Sequence, residues 1–252
     1  MKNFFFKTSS CGLLLFFVSL YLLAVASLAL ATSSAQPESP ALLAQRVQER
    51  YRNVQSMAAD YQRSSSFVSL GAQSGGREVV GSGHLIWARP LKLRLDQEKP
   101  RREMIITGGG EAWWVRPGRK QADLYPFSQF TSGLTSLLDA LGGLSGLERD
   151  YKVGEASVKE RDAAPAGSAL LSLEPRQQRA DLKELVLIFA GNDLTLRGFV
   201  IYNLVGDRTA YSFSTLQINP AVNPALFDYE PPADYRLVDH RPIMGTKDPQ
   251  AK

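Results

Sequence analysis

The sequence predicts an α+β fold in which one long antiparallel meander curves around an apolar concave face beneath a few helices. From Met57 onward the apolar period is two, most clearly in Leu91-Lys92-Leu93-Arg94-Leu95-Asp96, where leucines take one face and charges the other. Turn signals separate the segments at Gly75-Gly76, Gly108-Gly109-Gly110, Pro117-Gly118, Gly191-Asn192-Asp193 and Gly206-Asp207. Only two stretches carry helical periodicity. With 252 residues, 44% of them hydrophobic and 21% charged, the chain is long enough for one sizeable core.

The first element is a leader. Lys2 and Lys7 precede an uncharged run lasting until Glu38, and residues 12–30 form a 19-residue apolar stretch. Ala29-Leu30-Ala31 supplies small residues for cleavage, with Ser33-Ser34-Ala35 as a second candidate. The stretch is long for a signal core, so a retained membrane anchor is the competing reading; either way the domain is exported. The expected organisation is a signal peptide over 1–31, a linker over 32–39, one domain over 40–240 and a flexible tail over 241–252. Thr8-Ser9-Ser10 before Cys11 is no lipobox, and removing the leader deletes the only cysteine. It also lowers the formal charge from +4 to +2, and the basic run Lys99-Pro100-Arg101-Arg102 is short and ends in Glu103. Nucleic acid is not an expected partner.

Ser39 followed by Pro40 predicts a helix start, and Leu43, Val47, Tyr51 and Val54 then recur at helical spacing. Extended segments are expected over 58–70, 79–89, 91–96, 103–107, 112–116, 121–125, 151–159, 169–174, 183–190, 194–204 and 209–218. The second helix is expected over 128–141, where Leu134, Leu137, Leu138 and Leu141 form a stripe that Gly142-Gly143 ends and Leu144 and Leu147 prolong. Several strands, such as Leu185-Val186-Leu187-Ile188-Phe189, are apolar on both faces, so both sides of the sheet need cover and helices supply only one. Between Tyr211/Phe213 and Leu216/Ile218 the alternation changes parity, which predicts a β-bulge or a strand changing layers. Such a sheet closes into a barrel, stacks on a second sheet, or keeps a concave apolar face for a ligand, and the last is favoured.

Catalytic constellations are thin. His84 and His240 are the only histidines, and neither metal-ligand spacing nor a Gly-x-Ser-x-Gly elbow occurs. His84 reads as a surface or hydrogen-bonded strand residue. Gly108-Gly109-Gly110 reads as a hairpin turn, because no helix follows it to hold a phosphate. No enzyme activity, metal or cofactor is expected. Trp87, Trp113 and Trp114 fall close together and fit equally a plain core or the wall of an apolar pocket.

The segment from Gly81 to Pro100, with Trp87, Arg89-Pro90 and the alternating Leu91, Leu93 and Leu95, resembles the periplasmic lipoprotein carriers of the LolA family. The resemblance continues through Met104-Ile105-Ile106-Thr107 and Glu111-Ala112-Trp113-Trp114-Val115-Arg116-Pro117, and ends with Asn223 to Pro232. It departs where Leu93 and Leu95 replace aromatics and where three glycines replace an Asp-Gly turn. The resemblance implies an incompletely closed antiparallel β-barrel of about eleven strands with a helical lid. It implies a carrier that takes acylated lipoproteins from an inner-membrane ABC exporter and passes them to an outer-membrane acceptor, working in the periplasm as a monomer. Arg89 would latch the lid, which carries Leu134, Leu137, Leu138 and Leu141. Trp87, Leu91, Leu93, Leu95, Met104, Ile106 and Trp114 would line the acyl cavity. Taken from the residues alone, Arg89 is a surface charge beside a proline and the leucine stripe is equally a core helix. A sensor or regulatory module of the same fold, binding lipoproteins or another amphiphile, is the rival. An anchored outer-membrane acceptor would need a lipobox cysteine, and a lipid hydrolase would turn over esters.

Overall fold

The computed structural model describes residues 38–68, 78–108, 110–127, 134–179 and 181–242. The chain divides into two compact units, Met1–Glu38 and Ser39–Lys252, and the expected leader falls outside the described residues. Helix α1, Pro40–Tyr51, starts where expected: the Ser39 hydroxyl accepts a hydrogen bond from the Leu42 amide and Pro40 occupies the first turn, where no amide is needed. Its buried residues Leu43, Ala44, Val47 and Tyr51 share one face.

Among the described residues twelve strands follow in one sheet: β1 Ser56–Ser66, β2 Val79–Ala88, β3 Lys92–Lys99, β4 Glu103–Gly108, β5 Glu111–Arg116, β6 Gln121–Pro126, β7 Tyr151–Gly154, β8 Ser168–Pro175, β9 Glu184–Ala190, β10 Leu196–Tyr202, β11 Arg208–Ile218 and β12 Arg236–Asp239. Their order across the sheet is β12-β6-β5-β4-β3-β2-β1-β11-β10-β9-β8-β7, so β1 bridges two meanders and the sheet is curved but unclosed. All pairs are antiparallel except β12 with β6, which is parallel. The expected count of about eleven strands becomes twelve because β12 has only four residues, none of them buried, too little for a period to show.

Between β6 and β7 lie α2, Leu134–Gly142, a 3₁₀ turn Gly143–Ser145, and α3, Leu147–Asp150. The helix expected over 128–141 is thus observed from 134, residues 128–133 lying outside those described. The strand expected over 151–159 stops at Gly154, and Val158–Ala163 is instead a short helix, α4. The Ser157 hydroxyl caps it by accepting from the Glu160 amide.

The parity change in β11 is a bulge. Asp60 pairs with Ser214 but Ala58 pairs with Gln217, and Thr215 takes a positive φ of 54° to absorb the extra residue. Register then sorts the faces. Met57, Trp87, Leu93 and Thr107 stand side by side, as do Ala59, Leu85, Leu95, Ile105 and Trp114, and these line the concave face. Phe199, Leu187 and Leu171 continue it across the second meander. Apolar residues on the convex face have two covers. The 3₁₀ turn Pro224–Phe227 packs on β3 and β4, where Phe227 and Ile106 are buried, Lys92 sits 5.6 Å above the Phe227 ring and Trp113 meets Tyr229 edge-on. Helix α4 anchors the other cover, its Glu160 receiving two hydrogen bonds from Arg208 and one from Tyr202 beside the cluster of Ala156, Val186 and Val200.

Candidate functional site: the covered concave face

The concave face is filled by the segment that crosses it. Leu138 and Leu141 of α2, Leu144 of the 3₁₀ turn and Leu147 of α3 are all buried in the same cluster as Trp87, Leu93, Leu187 and Phe199. The side chains of Leu134 and Leu137 lie outside the described residues. Gly142 permits the close approach of α2: a Cβ there would stand 3.1 Å from Cζ2 of Trp87. Helix α1 flanks this cover, packing on the Gly143–Ser145 turn and on α3. It is pinned by Tyr51, whose hydroxyl donates to the Leu194 carbonyl at 3.0 Å and accepts from the Leu196 amide at 2.8 Å. Burial raises the Tyr51 pKa, so the phenol stays protonated and keeps that donor.

Arg89 stands at the junction of cover and sheet. Its amide donates to the Gln55 carbonyl, its Nε donates to the Val54 carbonyl at 2.9 Å, and its Nη2 donates to the Ser145 hydroxyl at 3.0 Å. The guanidinium carbon lies 5.7 Å from the ring centre of Trp87. One side chain therefore ties the α1–β1 connection, the cover and the indole beneath it. Its contact to the cover is the Ser145 hydroxyl.

The remaining expected cavity residues divide. Trp87, Leu93 and Leu95 are buried on the concave face and Trp114 is half-buried there. Leu91 is 51% exposed, because β3 begins only at Lys92 and Leu91 belongs to the turn after Arg89. Met104 and Ile106 are on the convex face: Ile106 pairs with Arg94 and Trp113, and Met104 with Asp96 and Val115, one position out of step with Leu93 and Leu95. These three residues are withdrawn from the cavity. The apolar runs of β4 look alike from either side in sequence, and only pairing register decides the face.

Several further concave-face residues were not among the expected cavity residues. Tyr61, Phe199, Tyr211 and Phe213 form an aromatic cluster, with ring centres 5.7 Å apart for Tyr61–Tyr211 and 4.9 Å for Phe199–Tyr211. Burial pushes both tyrosine hydroxyls up in pKa. The Tyr61 hydroxyl, Arg63 Nε and Trp87 Nε1 are buried donors without an acceptor among the described residues. Half-buried Ile105, Trp114 and Tyr125 on β4 to β6, with Phe127 just after β6, complete the wall. The surface suits flexible apolar chains. Among the described residues no cluster of His, Cys, Asp and Glu could hold a metal, and no helix is long and apolar enough to cross a membrane. His84 bonds Asp60, and His240 stacks on Tyr125 while bonding Asp123.

A family model described as outer membrane lipoprotein carrier protein LolA matches residues 52–230. The chain belongs to the LolA family. An outer-membrane lipoprotein carrier protein of Dechloromonas aromatica is 26% identical over 187 residues, covering 74% of this chain and 83% of the relative. One from Xanthomonas campestris pv. campestris is 30% identical over 151 residues, covering 60% and 68%. A LolA superfamily crystal structure from Nitrosomonas europaea aligns with a TM-score of 0.40 at 10% identity, over 77% of this chain and 99% of that one. The span matched to the LolA family includes Arg89, the cover and the whole sheet except β12.

Proposed function

We propose that the chain carries lipid-modified proteins through the periplasm by holding their acyl chains on the concave face. In this reading the leader over 1–31 is removed, the domain over 40–240 acts as a monomer, and cargo arrives from an inner-membrane ABC exporter and leaves to an outer-membrane acceptor. The observation that carries the proposal is the substitution of cover for guest: Leu138, Leu141, Leu144 and Leu147 occupy the apolar face that acyl chains would occupy. Lifting the cover frees Trp87, Leu93, Leu95 and Trp114 as the acyl wall and breaks the Arg89–Ser145 hydrogen bond.

Energetics support reversible carriage. Each buried methylene contributes about 0.8 kcal/mol, so one palmitoyl-length chain contributes on the order of 12 kcal/mol. Several buried chains would exceed the roughly 18–21 kcal/mol at which non-covalent affinity saturates, and cargo would not leave. Exposing the leucines of the cover offsets part of this gain and keeps transfer possible. The test is to purify the chain from the periplasm and identify co-purifying material by mass spectrometry. Triacylated protein is the expected companion; a chain that is consistently empty, even with its exporter present, overturns the proposal.

A further inference from the structure

One rim of the concave face carries charge that acyl chains do not use. The turns joining β3 to β4 and β5 to β6 face each other across a cleft of about 670 Å³ lined by Arg101, Arg102, Glu103, Arg116 and Arg119 with Pro117 and Gly118. Its acids are engaged: Glu103 accepts from Trp114 Nε1 at 3.2 Å, and Asp123, which holds Arg116, also accepts from Gln121 and His240. The guanidinium groups of Arg101, Arg102 and Arg119 have no ion pair among the described residues. Arg116, only 17% exposed, keeps a buried Nε–H without an acceptor. Arg116 is paired with Asp123, so three guanidinium groups without an ion pair and one buried Nε–H without an acceptor surround a cleft whose lining carries one carboxylate, Glu103, an excess of donors suited to an anion with several oxygens.

Two residues lining the cleft, Glu103 and Arg116, also contact the indole of Trp114 on the apolar wall. Arg116 lies 4.5 Å above the Trp114 ring, and Trp114 faces the concave side next to Ile105. An anion in the cleft is one indole away from the surface assigned to acyl chains. We propose that this cleft binds the phosphate of a phospholipid whose tails lie against Trp114 and Ile105, so that the chain takes phospholipid as a second class of cargo. The proposal rests on the acyl-binding reading of the concave face. Inorganic phosphate shares the headgroup chemistry but gains nothing from the adjoining apolar wall.

The test titrates the chain with monomeric dioctanoyl phosphatidylglycerol, with dioctanoylglycerol and with inorganic phosphate, following tryptophan fluorescence and calorimetry. The phospholipid is expected to bind about tenfold tighter than dioctanoylglycerol, and raising NaCl from about 0.05 to 0.5 M weakens only the phospholipid. In the Arg101→Glu/Arg102→Glu/Arg119→Glu variant, phospholipid affinity falls by about tenfold or more while dioctanoylglycerol affinity stays within about twofold. The altered side chains are exposed, and the salt dependence of the unsubstituted chain gives the same answer without any variant. Phospholipid binding indifferent to both salt and charge reversal overturns the headgroup site and leaves the acyl reading standing, as it would if the arginines served an acidic protein instead. Inorganic phosphate binding as tightly as the phospholipid also overturns it, in favour of a free-anion site. Failure of both lipids to bind overturns the acyl reading together with the proposal.

Discussion

Replacing Arg89 by leucine separates the tie on the cover from the tie on the fold. The substitution removes the 3.0 Å bond to Ser145, which holds the cover, and the 2.9 Å bond to the Val54 carbonyl, which holds the α1–β1 connection. Hydrogen bonds from a charged donor contribute about 1.5–3 kcal/mol, and the solvent-facing Ser145 bond belongs at the low end. A loss of about 1.4 kcal/mol raises the population of the open cover about tenfold. Amide exchange over Leu138–Leu147 is expected to accelerate by that factor, whereas β9 and β10 change only by the smaller loss of global stability. Ser145→Ala removes the cover bond alone, so it reproduces most of the local acceleration with little change in the unfolding midpoint. Arg89→Leu leaving exchange in Leu138–Leu147 unaltered, or accelerating every strand equally, would refute the assignment of Arg89 as a latch.

Three further outcomes follow from packing and charge. Glu160→Gln is expected to cost about 3 kcal/mol in urea unfolding, because the mostly buried Arg208 then keeps its charge with no carboxylate opposite it. Burial pushes the Glu160 carboxyl up, but hydrogen bonds from Arg208 and Tyr202 outweigh it and hold the pKa below 4.5. A carboxylate depressed by folding stabilises the protein fully above its unfolded value, so the melting temperature should hold from neutral pH to about 5 and fall below about 4.5, and Glu160→Gln should flatten that acid limb. Tyr51→Phe leaves the Leu194 carbonyl and Leu196 amide unpaired in the interior and should cost about 2 kcal/mol, read in the same titration. Gly83→Ala would put a Cβ 2.0 Å from the Asp96 carbonyl oxygen, forcing β2 and β3 apart; a loss of at least about 3 kcal/mol, or roughly 6–12 °C in melting temperature, is expected.

The meander, the capped first helix and the bulge in β11 were legible because each rests on a local rule: alternation, an N-cap before proline, or a change of parity. What escaped depends on partners distant in sequence. Ile106 and Leu93 are both apolar strand residues, and only the pairing of β3 with β4 sends one outward and the other inward. Leu91 belongs to the alternating run, yet the Arg89-Pro90 turn claims it and Thr107 bonds the backbone on either side of Lys92 to start the strand late. Arg89 was legible only through its motif, since no local pattern distinguishes a latch from a surface cation. Ser145, its partner on the cover, lies 56 residues away and had no signal. The start of helix α4, Val158-Lys159, was read as strand because its cap at Ser157 is weak evidence beside the extended run before it, and Glu160 gains its role only when Tyr202 and Arg208 arrive from the far meander.

Both lateral margins of the twelve-stranded sheet are strands of four residues, Arg236–Asp239 on one side and Tyr151–Gly154 on the other. A border that short presents few unsatisfied amides, and Arg236 and Asp239 place charge at both ends of one of them. Neighbouring molecules therefore find no ledge on which to extend the sheet. An apolar sheet bordered this way resists fibrous stacking even where its concave face is uncovered.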